Sequence, residues 1–192
     1  KCIQDEIPFD IPNSWAWTRL GGISEVISKG TTPRGGKFVY RTKGIGFLRV
    51  ENIGENFCLD MQTLRYIDKD IHDSALSRSK LNHKDILISI AGTLGKIAYI
   101  SDVDQQFNAN QAIAFVRLIN KDITIVKYIA NYLSSEIVQS IYKNMSKTTA
   151  IPNLTLEIIS KTLIPFPPFS EQKRIVEYIS KANNQLDSML SE

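Results

Sequence analysis

The residues with the clearest chemical potential are six cations that lie between Glu25 and Glu51 with no acidic residue among them. They are Lys29, Arg34, Lys37, Arg41, Lys43 and Arg49. Taking these six from the 23 basic residues of the chain leaves 17 against 20 acidic residues, so the remainder carries a net charge of −3. A positive segment on a mildly acidic body is typical of a face that binds a polyanion. Charge alone fits a solvated basic loop equally well.

The residue patterns that would indicate catalysis or a bound metal are incomplete. His72 and His83 are eleven residues apart without nearby cysteines, which disfavours a zinc site. The pair Gly95-Lys96 lacks the Ser or Thr that follows in a phosphate-binding loop. Phe166-Pro167-Pro168-Phe169 resembles the Pro-Pro-aromatic motif of amino-methyltransferases but begins with a residue that cannot hydrogen-bond the target amine. The sequence therefore favours a binding role over a catalytic one.

The length and composition indicate a globular protein with one sizeable core, or a core plus an appendage. The 192 residues are 43% hydrophobic and 22% charged, and no apolar run approaches the roughly 20 residues of a membrane span. Cys2 and Cys58 are too few for a disulfide framework, so we expect two free thiols in a reducing cytoplasm. A first residue other than Met is consistent with a piece of a longer protein.

Short apolar runs predict strands, and a change of period then predicts a helix. Strands are expected at 45–50, 85–91, 96–100 and 112–118. The second and third of these would form a hairpin across the four residues 92–95. From Ile125 to Ile141 an apolar residue recurs every four positions, which predicts a single helix over about residues 124–145.

The end of the chain predicts a strand at 162–166 and then a helix from Ser170, whose hydroxyl suits an N-cap. Five apolar residues of this helix recur with spacings of 4, 3, 4 and 3, as in the seam of a coiled coil. They are Ile175, Ile179, Ala182, Leu186 and Met189. The seam predicts contact with another helix, in the same subunit or in a second copy. Packing onto the chain's own globular body stays open as the alternative.

Several segments, taken together, resemble the specificity subunits of Type I restriction-modification systems. They are Ile11-Pro12-Asn13-Ser14-Trp15, Trp17, Leu20-Gly21, Gly30-Thr31-Thr32-Pro33, the runs 46–53 and 85–96, Asn110-Gln111-Ala112, Pro165-Phe166-Pro167-Pro168-Phe169, Glu171-Gln172 and Arg174-Ile175-Val176. Each motif alone is weakly or moderately specific. Their shared order from residue 11 to 176 carries the resemblance.

The resemblance implies an α+β fold, in which residues 1–168 form a target recognition domain on a twisted mixed β-sheet and residues 169–192 begin a coiled-coil-type spacer helix. It implies a non-catalytic subunit that binds double-stranded DNA, reads one half of a bipartite target and directs adenine methylation or cleavage by partner subunits. The family usually has two recognition domains, so the chain is either half of a longer subunit or a half-size subunit that must pair.

The resemblance also implies partners and cofactors. Methyltransferase subunits would contact the chain directly and the restriction subunit indirectly. A second recognition domain or second copy would join through the spacer helix, and no membrane would be involved. S-adenosylmethionine, ATP and Mg²⁺ would be bound by the partner subunits and not by this chain, which would act in the cytoplasm.

Within this interpretation, two polar loops hold the candidate DNA-contacting residues. The first contains Thr31, Thr32, Arg34, Lys37, Tyr40, Arg41, Lys43 and Arg49, and the second contains Lys143, Ser146, Lys147 and Thr148. Arginine can bind guanine through two hydrogen bonds, and Gly35-Gly36 would let the first loop approach a duplex closely. A solvated side chain is the alternative for each residue. For Arg49, support of Glu51 is a further alternative.

Two other functions stay open at this point. The chain could be the recognition domain of a fused restriction-methyltransferase, which a methyltransferase motif upstream in the full gene would favour. It could instead be a protein-interaction module whose basic loop binds an acidic protein. Titration with duplex DNA at low salt separates this last function from the other two.

Overall fold

The computed structural model describes residues 3–102, 104–146 and 153–190. Its strands are β1 (Ala16–Arg19), β2 (Ser24–Lys29), β3 (Tyr40–Arg41), β4 (Ile45–Leu48), β5 (Arg65–Ile67), β6 (Lys80–Leu81), β7 (Ile86–Ser89), β8 (Ile97–Tyr99), β9 (Phe107–Ala109), β10 (Ile113–Leu118) and β11 (Leu163–Phe166). Its helices are α1 (Lys69–Asp73), α2 (Ile123–Leu133), α3 (Glu136–Ser146), α4 (Leu156–Lys161) and α5 (Phe169–Leu190). The strands predicted at 45–50, 112–118 and 162–166 are confirmed as β4, β10 and β11, with small differences at their ends.

The strands form three sheets within the described residues. A four-stranded antiparallel sheet has the order β2-β10-β7-β8, and a five-stranded sheet has the order β3-β5-β4-β9-β6. The five-stranded sheet is mixed, because β4 and β9 run parallel while its other pairs are antiparallel. A third pairing joins β1 to β11, which brings the start of the chain next to the start of α5. The expected α+β fold with mixed sheets is confirmed.

The four-stranded sheet is buried on both faces. Along β7, Ile86 and Ile88 belong to the largest apolar cluster, which includes side chains of α2, α3, α4 and α5, whereas Leu87 belongs to a second cluster. That second cluster contains Phe107 of β9 and Leu48 of β4, which belong to the five-stranded sheet. Since successive residues of a strand point to opposite faces, this sheet lies between the helices and the five-stranded sheet.

The single helix expected over residues 124–145 is wrong. The helix is interrupted at Ser134–Ser135, which divides it into α2 and α3, although the apolar period of the sequence continues across the interruption. The side chain of Gln139 holds the break by donating its amide hydrogens to the carbonyls of Leu133, at 2.8 Å, and Gly95, at 3.0 Å. The bend turns Val138 and Tyr142 toward the core, whereas Ile137 and Ile141, which belong to the predicted apolar face, are exposed.

The predicted hairpin between β7 and β8 is confirmed, but its connection is longer than four residues. The Ser89 hydroxyl fastens the turn, because it accepts from the Lys96 backbone N–H at 2.8 Å and donates to the Thr93 carbonyl. Ile90 leaves the hairpin and pairs through its backbone with Ala112 and Leu154. The strand therefore ends at Ser89, two residues before the end of the apolar run.

Helix α5 packs onto the globular body through its first half. Val176 is buried in the largest apolar cluster, and Ile175 packs against that cluster. Farther along the seam, Leu186 is 58% exposed and Met189 is 73% exposed. The alternative, in which the helix packs onto the globular body of the same chain, therefore holds only for its first turns. Over the described residues, no helix has the length and apolar character needed to cross a membrane.

Candidate nucleic-acid interface

The cation-rich segment, defined here as residues 31–43, leaves the four-stranded sheet at the end of β2. Its entry is fixed by Gly30, whose N–H donates to the Ile113 carbonyl, and by Thr31, whose N–H donates to the Ala109 carbonyl, both at 2.9 Å. A side chain at Gly30 would collide with the Ala109 backbone. Thr31 and Thr32 are exposed, and the Thr32 hydroxyl is hydrogen-bonded to the side chain of Gln111. The two threonines therefore lie beside the turn that precedes β10.

The tip of the cation-rich segment is a turn with two glycines in the left-handed region. Gly35 has φ 112° and Gly36 has φ 59°, conformations that favour glycine over residues with a side chain. A 3-10 turn over Gly36–Val39 follows. Arg34 and Lys37 are exposed on either side of the glycines, as is Lys43 at the far end of the segment. These cations are oriented toward solvent, as a phosphate contact requires.

Arg41 fastens the far end of the segment to the five-stranded sheet. Its guanidinium donates to the carbonyls of Phe38, at 2.8 Å, and Tyr40, at 3.1 Å. It also pairs with Asp68, which follows β5, at 2.7 Å. The side chain remains 44% exposed, so Arg41 combines a structural role with a charge that reaches solvent.

Tyr40 is half-buried and packs against the side chains of Phe47 and Arg65. Its ring centroid lies 5.6 Å from that of Phe47, and the guanidinium carbon of Arg65 lies 4.7 Å from the Tyr40 centroid. Arg65 is exposed and adds a cation beside the segment that sequence reasoning missed. The acid-free window excluded it because that window ends at Glu51. Only the pairing of β5 with β3 and β4 brings Arg65 to this surface.

Arg49 is more buried than the exposed cations of the segment. Its guanidinium pairs with Glu51 and donates to the Thr63 carbonyl at 3.1 Å, and only 17% of its side chain is exposed. Asn52 accepts from the Arg49 N–H at 2.9 Å and closes this turn. The structure supports the alternative that Arg49 stabilises Glu51, so we withdraw Arg49 from the candidate DNA contacts.

The second candidate loop is described only in part. Lys143 is exposed on α3, and Ser146 is the last residue of that helix. Lys147 and Thr148 lie outside the described residues. The expectation that this loop reaches the same duplex as the cation-rich segment stays a prediction.

Two buried polar pairs hold the sheets that carry the segment. Arg117 of β10 donates to both carboxylate oxygens of the buried Asp85, at 2.9 and 2.8 Å. Burial raises the pKa of Asp85, and the hydrogen bonds from Arg117 oppose this rise. Nδ1 of the buried His72 lies 2.5 Å from Oδ1 of Asn108 in β9. Both pairs serve packing, and no cluster of metal-ligating side chains is found among the described residues.

Comparison with known proteins gives consistent matches. A family model described as the Type I restriction modification DNA specificity domain matches residues 12–190. The EcoBI specificity subunit of Escherichia coli is 29% identical over 183 residues, which cover 93% of this chain and 37% of that protein. The putative MjaX specificity subunit of Methanocaldococcus jannaschii is 28% identical over 185 residues, covering 94% and 42%. The chain therefore spans about two fifths of the length of these curated relatives.

Solved structures share the fold. The HsdS subunit from Thermoanaerobacter tengcongensis has a TM-score of 0.66 at 21% identity, covering 94% of this chain and 40% of that one. The type IIG restriction endonuclease BpuSI has a TM-score of 0.63 at 11% identity, covering 85% and 26%. At these identities the likeness concerns the fold alone. Together with the family match over residues 12–190, the resemblance seen in the sequence is confirmed: the chain belongs to the Type I restriction modification DNA specificity domain family.

Proposed function

We propose that this chain reads one half of a bipartite DNA target and holds it through the cation-rich segment. The observation that carries the proposal is that Arg34, Lys37 and Lys43 are exposed on one segment whose two ends are fastened to two different sheets. Phosphate contacts supply much of the affinity of DNA-binding proteins, and exposed cations on a fastened segment are available for such contacts.

Base recognition would come from the same surface. Arginine binds the O6 and N7 atoms of guanine with two hydrogen bonds in the major groove, which suits Arg34 at the tip of the segment. Lysine and the hydroxyls of Thr31 and Thr32 are suited to phosphate oxygens, which set the register of the protein on the duplex. Tyr40, which packs against Phe47 and Arg65, would support these contacts.

The division of the chain follows from the same proposal. Residues 1–168 would form the target recognition domain, and residues 169–192 would begin a spacer helix that meets a second recognition domain or a second copy. The exposed Leu186 and Met189 of α5 support this division, because apolar side chains on one face of a helix favour a partner helix.

The chemistry would belong to partner subunits. Methyltransferase subunits would bind S-adenosylmethionine and methylate adenine, and a restriction subunit with ATP and Mg²⁺ would cut the DNA in the cytoplasm. The curated relatives are named as separate specificity subunits, which favours this arrangement over a fused restriction-methyltransferase.

Two measurements test the proposed function. A methylation map of the host genome with and without this gene should give one bipartite target that disappears with the gene. Titration of the assembled complex with duplex DNA should give an affinity that falls steeply with salt, with a log-log slope of about −5 for six phosphate contacts. Absence of DNA binding, by the chain alone and with a methyltransferase partner, would favour a protein-interaction module instead.

A further inference from the structure

The tip of the cation-rich segment presents a large aromatic side chain to solvent. Among the large apolar residues that the structure describes, Phe38 has the greatest exposed fraction, 78%. The two residues that follow it, Val39 and Tyr40, are half-buried. The amine of Lys37 lies 5.7 Å from the Phe38 ring centroid. The exposed ring therefore lies next to a positive charge.

The backbone holds this ring outward. The Phe38 N–H donates to the Gly35 carbonyl at 3.3 Å, which closes the 3-10 turn. The Phe38 carbonyl accepts from Arg41, and Arg41 is itself held by Asp68. Both polar groups of the Phe38 backbone thus have partners within or next to the segment. The turn is open at Gly36, where an added Cβ would meet no other heavy atom within 4 Å.

An aromatic ring held out of the core among cations suits a stacked, negatively charged partner. A double helix offers both features, because its phosphates attract the cations and its base pairs present flat apolar faces between successive steps. Proteins that bend DNA insert phenylalanine or other apolar side chains between base pairs in this way. An acidic protein surface would match the cations, but it would need a separate apolar pocket for the ring.

We propose that Phe38 inserts between two neighbouring base pairs of the bound half-target and kinks the duplex there. The proposal rests on the function proposed above. Insertion separates the base pairs, and pyrimidine–purine steps separate most easily. The half-target read by this chain should therefore contain a TA or CA/TG step at the position that Phe38 meets. Selection at that step would come from the ease of deformation and not from hydrogen bonds to base edges.

The test uses the assembled complex and target duplexes that carry 2-aminopurine at successive positions of the half-target. Fluorescence of this base rises when it loses its stacking neighbours. Wild-type protein should give a rise at a flexible step in addition to any rise at the methylated adenine. Phe38→Ala should remove the first rise, leave the second, and lower target affinity roughly tenfold. Phe38→Leu, which keeps an apolar wedge, should retain most of the rise.

Matched controls separate this inference from the proposed function. Ile119→Ala removes another exposed apolar side chain. Ile119 directly follows β10, at the end of that strand opposite to the end that lies beside Thr31 and Thr32. The substitution should change neither of the two fluorescence rises. Phe38→Ala should keep the salt slope of wild type, because no phosphate contact is lost. Steep salt-dependent binding by wild type without a rise outside the methylated adenine would overturn the wedge and leave the proposed function intact. Failure of wild type to bind DNA would overturn both.

Discussion

The guanidinium of Arg41 lies 2.7 Å from a carboxylate oxygen of Asp68, across the paired strands β3 and β5. The same guanidinium holds the Phe38 carbonyl, so one ion pair connects the five-stranded sheet to the tip of the cation-rich segment. Asp68 thereby fixes the segment and also neutralises part of its charge. These two effects have opposite consequences for DNA binding, and we expect the effect of charge to be the larger when Asp68 is replaced.

Asp68→Asn should strengthen DNA binding and steepen its salt dependence. The variant removes a negative charge and releases Arg41, which can add up to about 0.9 to the magnitude of the log-log salt slope. The pair is about half exposed, so its loss should lower the free energy of unfolding by no more than about 1 kcal/mol. Fluorescence anisotropy over a salt series measures the slope.

The matched control for Asp68 is Glu25, which pairs with Lys121 at 3.3 Å near the opposite end of β2. Glu25→Gln changes the net charge equally and also releases a cation, but away from the segment. Equal increases in slope for Asp68→Asn and Glu25→Gln would mean that overall charge, and not Arg41, governs binding.

Removal of Arg117 should strongly destabilise the chain. Arg117→Ala leaves the buried Asp85 carboxylate without its charged partner, and breaking such a pair lowers the free energy of unfolding by about 3–5 kcal/mol. Combining Arg117→Met with Asp85→Asn removes both charges and should recover part of this loss, since an asparagine can still accept from the Asn82 N–H. Urea denaturation compares the variants. A loss below about 1 kcal/mol for Arg117→Ala would argue that water reaches Asp85.

Stability should fall at alkaline pH, partly because of Tyr142. Burial raises the pKa of Tyr142 to about 12 from its ordinary value of 10. Between pH 10 and 12 the unfolded chain releases this proton while the folded chain keeps it, so the free energy of unfolding decreases as pH rises. At 1.36 kcal/mol per pKa unit, the decrease from Tyr142 reaches about 2.7 kcal/mol.

Tyr142→Phe tests this contribution. The variant loses the hydrogen bond to Thr162, 3.0 Å long, and should be less stable by about 1 kcal/mol at pH 8. Between pH 8 and 11 it should lose less stability than wild type, although Tyr132, whose pKa burial raises to about 12, still contributes. Urea denaturation at both pH values gives the difference, and identical losses in the two proteins would contradict the assignment.

The two halves of α5 should respond differently to truncation of a side chain. Val176→Ala removes a buried side chain from the main core and should lower the free energy of unfolding by about 1–2 kcal/mol. Leu186→Ala should change it by less than about 0.5 kcal/mol, but should weaken association with the second recognition domain or second copy. Urea denaturation and sedimentation velocity measure the two quantities. The reverse pattern would mean that the whole helix belongs to the globular body.

The elements that the sequence predicted correctly are those whose pattern is local. The runs that became β4, β7 and β10 are apolar over four to six residues, and such runs indicate buried strands without reference to the rest of the chain. Strand β5 was missed, because Arg65, Tyr66 and Ile67 are too few to show a period. The parallel pairing of Gly46 with Phe107 joins residues far apart in sequence and leaves no local signal.

The same limit applies to the candidate interface. The acid-free window located Arg34, Lys37 and Lys43 correctly on one exposed segment, because charge along a loop is visible in sequence. It also included Arg49, whose inward turn depends on the Thr63 carbonyl fourteen residues away. It excluded Arg65, which reaches the surface of the segment only through strand pairing.

The most direct test of the account is the salt dependence of DNA binding when the tip of the cation-rich segment is neutralised. Arg34→Ala combined with Lys37→Ala should reduce the magnitude of the log-log salt slope by about 1.8, at 0.9 for each phosphate contact. The control pair Lys121→Ala with Lys161→Ala removes the same charge away from the segment and should leave the slope unchanged. An unchanged slope for the first pair, or an equal reduction by the control pair, would contradict the claim that this segment holds the duplex.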